Sequence, residues 1–464
     1  MTLLPLLGLV LLAACDSDKS DNNGRDRGRD AALRPPPTVE DLWSSEVIAE
    51  GGAGLCADLE LGEEGPVVAY YATSSRDGEP CFQEQSEDPK PRMLWDLYFA
   101  EPKGGQWHSH LVAEVLGEGS PPGLDLAMGP GAEPAIAATG GEPIETLAYH
   151  FCGGNDLALY ERQGSNWAPD IAVVTSGQAA SGEPGSDAGE VVGYWPALAF
   201  GADGQAAIAY RDVHYAIQQS DDFHRADLEL ALGSSGSWRA LPVDVGRGAG
   251  EYNALIFDEQ GRIVIVYYQP DTRSGPGQGV WVIRSEDGGA SWQRVQLYSG
   301  PTLPRPDLAV DPDDGTLYVV YYSSSKRLPY LATLVDDEKF ESESEGWSQQ
   351  AFGDPRYQEG AYTSVAVDGQ GNVGVAYYRC LRATESGDIC PASDNALVFA
   401  WRLPGDVGVW EVETVDEGDR AGECGTHASL VFQSDGSAAI AYLCQSTVDD
   451  TLQDRLLLAR RKPL

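Results

Sequence analysis

The feature that most constrains this chain is a hairpin that recurs along it: an apolar strand, a turn bearing glycine, and a second apolar strand closing on tyrosine. It is clearest in ALIFDEQGRIVIVYY ending at Tyr268, DLAVDPDDGTLYVVYY ending at Tyr322 and SVAVDGQGNVGVAYY ending at Tyr378, and it recurs in ALAFGADGQAAIAY ending at Tyr210 and SLVFQSDGSAAIAY ending at Tyr442. Two divergent copies, DLELGEEGPVVAYY ending at Tyr71 and DLAMGPGAEPAIAA ending at Ala138, bring the number to seven. β-Formers on either side of a turn rich in Asp and Gly are a hairpin signature. A unit repeated at such a period cannot bury its apolar faces alone, so it must stack on its neighbours.

Each hairpin is followed by a second unit: an apolar strand, a polar turn, then Trp and an apolar patch closing near Gly. The two units together make four antiparallel strands. The marker tryptophans are Trp43, Trp107, Trp167, Trp238, Trp292, Trp347 and Trp410, about 54 to 71 residues apart. The reading is therefore all-β: a seven-bladed β-propeller of four-stranded antiparallel blades. The first marker has no hairpin before it, and the last hairpin is followed only by RLLLARRKPL. The N-terminal strand carrying Trp43 is thus expected to pair with the C-terminal strands as the outer strand of the last blade, closing the ring and leaving no lone edge. Two separate β-sandwiches are the alternative, and they leave the out-of-phase termini unexplained. No stretch sustains a helical apolar period over three turns, and residues 39–464 are expected to form one domain.

Residues 1–14 read as a signal sequence, an apolar run shorter than the ~20 residues a membrane span needs. Leu12-Ala13-Ala14-Cys15 resembles the lipobox of bacterial lipoproteins, which implies cleavage before Cys15 and a lipid on its thiol, although no basic residue precedes the apolar run. Residues 15–38 hold almost no apolar side chain to offset the entropy of ordering them and read as a tether. The expected location is the cell envelope, membrane-anchored and periplasmic or surface-facing. A formal net charge of −41 argues against nucleic acid as a partner, because phosphate binding needs Lys and Arg in excess.

Eight cysteines fit an oxidising compartment. With Cys15 set aside, Cys380 is expected to pair with Cys390 and Cys424 with Cys444; a third pairing joins Cys56 to Cys81 and leaves Cys152 alone.

Ser285-Glu286-Asp287-Gly288-Gly289-Ala290-Ser291-Trp292 resembles the Asp box of sialidase-like propellers, S-x-D-x-G-x-x-W. The resemblance implies a structural role on the turn between the third and fourth strands of a blade, with Ser285, Asp287 and Gly289 fixing the turn and Trp292 packing between sheets. The arginine triad, Tyr-Glu pair and acid-base Asp of active sialidases have no counterparts here; Arg327-Leu328-Pro329 lacks the aromatic of their F/Y-R-I/L-P segment and lies outside its usual place.

Aligning the inner strands puts Asp58, Asp125 and Asp307 at one equivalent position, where the other blades carry Ala197, Ala254, Ser364 and Ser429. Strand alternation points these carboxylates toward the central channel. They are candidate catalytic acids, or a solvated channel lining, or with water a seat for a cation; no other metal or cofactor is expected. The loops that join blades, and those joining second to third strands, share one face. Tyr71, Tyr268, Tyr322 and Tyr378 end there, with Arg211, Asp212, Arg273, Arg327 and Arg379 just beyond, and aromatic faces beside charged donors suit a glycan or an envelope protein. The alternative for the tyrosines is packing, one of each pair between blades and one half exposed. A binding lipoprotein, a glycoside hydrolase using Asp58 and Asp125, and a structural assembly factor all remain open at this level.

Overall fold

The structure, a computed structural model, describes residues 42–73, 93–117, 123–141, 156–176, 189, 191–213, 226–245, 248–270, 277–380, 395–405, 408–449 and 451–463. Cys15, Cys81, Cys152, Arg273 and Cys390 lie outside these residues. Described strands form seven four-stranded antiparallel sheets, the blades of a seven-bladed β-propeller. Numbered in chain order, β1 is Trp43–Ala49, and blade 1 follows as β2 (Ala53–Gly62), β3 (Gly65–Thr73), β4 (Met93–Lys103) and β5 (Gln106–Gly117). Blades 2 to 6 open on the inner strands β6 (Leu124–Met128), β10 (Val191–Phe200), β14 (Glu251–Phe257), β18 (Asp307–Val310) and β22 (Gln358–Val367). Blade 7 contains β26 (Cys424–Phe432), β27 (Ala438–Val448) and β28 (Thr451–Arg461), and its fourth strand is β1. Trp43 stands opposite Arg461 and Val47 opposite Leu457 in that pairing. Among the described residues the helical elements are single turns at Asp337–Lys339 and Glu343–Gly346. Among the described residues no helix is long and apolar enough to cross a membrane.

The hairpin repeat folds as it does because its turn residues satisfy the backbone locally. Asp258 Oδ1 accepts from the N–H groups of Gln260 at 3.0 Å and Arg262 at 2.9 Å, and Asp368 Oδ1 accepts from Gln370 and Asn372, both at 2.9 Å. Gly261 and Gly371 supply the left-handed residues at φ 74° and 77°, which glycine adopts without steric cost. Second strands are buried on both faces: Ile263–Gln269 and Leu317–Ser323 are buried at every residue, as expected of sheets packed between two others.

The core is a set of apolar layers between neighbouring blades. One joins Val68, Tyr70 and Leu59 of blade 1 to Ala439, Leu456 and Leu458 of blade 7. The marker tryptophans reach back to the preceding blade: Trp43 meets Phe399 edge-on at 5.4 Å, Trp167 meets Phe99 at 5.2 Å, and Trp410 stacks on Phe352 at 4.3 Å. Trp43 Nε1 also donates to Glu413 Oε2 at 2.7 Å, and the same carboxylate holds Arg461. The turn carrying Ser285 and Asp287 lies between Gly279–Ser285 and Gln293–Ser299, the third and fourth strands of blade 4. Asp287 accepts from the Ser291 backbone at 2.8 Å and from the Ser291 hydroxyl at 2.6 Å, and Ser285 Oγ accepts from Gly289 N–H at 2.8 Å. These bonds, led by that of the Ser291 hydroxyl, hold the Asp287 carboxyl down to about 2.

Cys424 and Cys444, opposite each other on β26 and β27, are joined by a disulfide with Cα atoms 3.9 Å apart. Cys380 is disulfide-bonded as well. The Cys56–Cys81 pairing is corrected: Cys56 is a free thiol. It sits near the start of an inner strand, and burial pushes the thiol up to about 11, which keeps it protonated at neutral pH.

Candidate functional site

Each inner strand begins with the same local distortion. Two residues before the aligned Asp, Ala or Ser position, the backbone turns left-handed: Cys56 (φ 53°), Gly123 (101°), Trp195 (45°), Tyr252 (53°), Arg305 (68°), Tyr362 (52°) and His427 (53°). In blades 1, 3, 4, 6 and 7 the ladder slips over these residues, as between Leu55 and Asp58 or Tyr194 and Ala197, which is the mark of a bulge. For bulky residues this conformation costs about 1–3 kcal/mol and persists only where the surroundings enforce it. The enforcement is visible two residues earlier, where Gly54, Gly193, Gly250, Gly360 and Gly425 are left-handed as well. A Cβ on each would meet the third strand of the preceding blade, at Leu456, Leu157, Leu228, Pro329 and Leu397 respectively. Close blade packing therefore bends the chain and aims one residue per blade at the mouth of the channel.

These seven residues meet. Tyr362 and His427 lie 4.5 Å apart between ring centres, and Trp195 and Tyr252 5.0 Å apart. Cys56 N–H donates to His427 Nδ1 at 3.2 Å. Burial, aided by the Arg305 charge, pushes that imidazole down to about 3, so it is neutral with its proton on Nε2. Arg305 reaches across from blade 5 to blade 1, donating to Ala57 O at 3.3 Å and approaching Asp58 Oδ1 at 3.8 Å. With Leu55, Leu124, Tyr194, Pro196, Asn253 and Pro304 they line a cavity of about 280 Å³, at the small end of ordinary ligand pockets.

The aligned acids do something other than face solvent. Asp58 Oδ2 accepts from Leu126 N–H of blade 2 at 2.8 Å, Asp125 Oδ2 from Leu198 N–H of blade 3 at 2.5 Å, and Asp307 Oδ2 from Val365 N–H of blade 6 at 2.8 Å. Ser364 Oγ and Ser429 Oγ accept in the same way from Leu430 of blade 7 and Leu59 of blade 1. The column is a ring of latches from one blade to the next, in place of the solvated lining expected from alternation. Ala197 and Ala254 interrupt it.

Burial and then the Asp58 charge raise Asp125 well above the carboxylate range, and burial pushes Asp307 up to about 6. Arg305 carries the compensating charge: burial works against it, but Asp58, Asp307 and Asp125 make it more basic than usual. Because Asp307 holds its proton more tightly folded than unfolded, where it titrates near 3.9, its contribution to stability is complete below about pH 4 and is lost as pH rises through about 6. Asp307→Asn keeps an acceptor for Val365 without the charge. Its melting temperature is expected to gain on the wild type steadily between pH 4 and pH 7, whereas Asp307→Ala, which leaves that N–H unpaired, should cost about 1–3 kcal/mol throughout.

The strand-end residues expected to form the binding face are mostly packed. Tyr71 is fully buried and donates to Gly123 O at 3.3 Å; Tyr268, Tyr322 and Tyr378 are buried too. Arg211 is buried, paired with Glu251 at 2.5 Å, and lies over the Trp195 ring at 5.3 Å. Asp212 accepts from Gly189 N–H. Arg379 lies over Tyr357 at 5.0 Å and donates to Thr414 Oγ1 at 3.1 Å. Arg327 alone of the described members is exposed. The left-handed residues that line the cavity are not evident from the sequence pattern, although each stands two positions before the aligned column.

No protein-family model and no curated protein matches the chain. Solved structures that do include a Dyadobacter fermentans protein of unknown function, aligned over 90% of this chain and 98% of its own at 11% identity and a TM-score of 0.47. Trypanosoma rangeli sialidase aligns over 84% of this chain and 59% of its own, at 13% identity and a TM-score of 0.41. Penicillium chrysogenum α-L-arabinanase aligns over 72% of this chain and 92% of its own, at 15% identity and a TM-score of 0.41. At these identities the likeness concerns architecture alone.

Proposed function

We propose that this propeller is the binding domain of an exported, lipid-anchored envelope protein, and that the cavity at its channel mouth takes a carbohydrate. The observation that carries the reading is the convergence of Tyr194, Trp195, Tyr252 and Tyr362 with Arg305, Asn253 and His427 in one small concave site. Aromatic faces stack on the C–H faces of sugars while a few fixed polar groups select hydroxyls. Backbone strain kept at these positions supports function over chance. The lipobox around Cys15 and the polar tether supply the anchor in this reading.

A glycan panel run beside chromogenic glycosides tests it. Trp195→Ala is expected to weaken binding at least tenfold, with Trp195→Phe retaining most of it; equal binding by all three proteins would remove the cavity as the site. The second reading, a glycoside hydrolase, is favoured by the neighbouring acids Asp58 and Asp125, of which Asp125 is raised well above the carboxylate range by burial and then by the Asp58 charge. Turnover of any glycoside that Asp58→Asn abolishes would establish it in place of binding alone.

A further inference from the structure

Resting on the carbohydrate reading, we propose that the cavity selects a neutral sugar ring, a single terminal unit bearing no carboxylate, sulfate or phosphate. Among the described residues Arg305 is the one Lys or Arg lining the cavity, and it already faces partners: Nη1 donates to Ala57 O, Nη2 faces Asp58 at 3.8 Å, and Asp307 and Asp125 also act on it. A guanidinium already set against Asp58 and Asp307, with Asp125 beyond them, has little unmatched positive charge to offer an acidic ligand. Arg211, the next cation, lies behind Trp195 and is neutralised by Glu251. Glu423 adds negative field at Tyr362. An anion entering here would meet repulsion, which is an effective means of rejecting a ligand.

The group that asks for a ligand is Asn253. Its Nδ2 donates to Trp195 O at 2.9 Å, which fixes the amide's orientation, and its Oδ1 is buried with no hydrogen-bond partner. A buried acceptor without a donor is costly. A sugar hydroxyl can donate to it, and a carboxylate cannot. Trp195 and Tyr252, inclined at 48° to one another, line the same cavity as Asn253, and about 280 Å³ suits one ring better than a chain.

The experiment is titration calorimetry of the full chain at low ionic strength with methyl glucoside, galactoside, mannoside and fucoside against methyl glucuronide, galacturonide and N-acetylneuraminic acid. At least one neutral glycoside is expected to bind ten or more times tighter than its acidic counterpart, the gap narrowing as salt is added. Asn253→Ala should weaken that neutral ligand about tenfold with the melting temperature unchanged. Acidic sugars binding equally or better would overturn the inference and leave the carbohydrate reading standing; no binding by either class overturns both. The neutral-to-acid comparison on the wild type decides the matter even if the variant folds poorly.

Discussion

Trp43→Ala is expected to lower stability by about 3–5 kcal/mol, the ordinary cost of emptying a tryptophan site, against a total of only about 5–15 kcal/mol for a folded domain. Trp43 is 7% exposed, packs on Phe399 and donates to the Glu413 carboxylate. Its strand also pairs with the outer side of β28. Loosening it therefore frays the one blade assembled from both ends of the domain, and the bared β28 edge invites pairing with other chains. Denaturant unfolding of Trp43→Ala beside Trp107→Ala, the half-buried equivalent in blade 1, is the appropriate measurement. Equal losses at the two sites would mean that closure contributes nothing beyond an ordinary blade.

Gly425→Ala should be comparably severe, for a different reason. The residue sits at φ 104°, and a Cβ there would lie 2.6 Å from Leu397 N and 2.7 Å from Leu397 Cα, both backbone atoms of the preceding blade. Neither can yield without parting blades 6 and 7, so a loss above about 4 kcal/mol, or failure to fold, is expected. Gly193→Ala, 3.0 Å from Leu157 Cα, should cost less, and Gly54→Ala, 3.4 Å from Leu456 Cα, only the backbone strain of about 1–3 kcal/mol. Unfolding midpoints that fail to follow this order would show that blade spacing adjusts freely at the mouth.

The architecture was legible in the residues because propeller blades advertise themselves: paired apolar runs about Asp-Gly turns and one marker tryptophan per sheet, at the turn into or start of its fourth strand, fix both the strand count and the phase of the termini. The Asp58, Asp125 and Asp307 column was legible as a column, but its role was not, since alternation gives a side chain's face and says nothing of an N–H arriving from the next sheet. The tyrosine pairs misled for a related reason. One of each pair was given to solvent, yet Tyr71 is covered by the chain entering the inner strand of the next blade, and Tyr378 packs on Ala361 and Tyr362 of the inner strand of its own blade. The cavity residues escaped because a bulge breaks the two-residue period on which the reading relied, and because thiol, indole, phenol, guanidinium and imidazole share no compositional signature. Glycine four positions before the column, in five blades, was the available clue.

Where the column reads alanine, at Ala197 and Ala254, the same strands supply Trp195, Tyr252 and Asn253 to the cavity. The ring's side-chain stitching is thus omitted beneath the very surface offered to a visitor, and Leu308 N–H, which the fourth blade cannot serve, turns back to its own neighbour's Asp307 Oδ1 at 2.8 Å. A guest bridging Trp195 and Tyr252 would act as the missing stitch. Occupancy and the stiffness of that arc of the wheel are then two readings of one quantity.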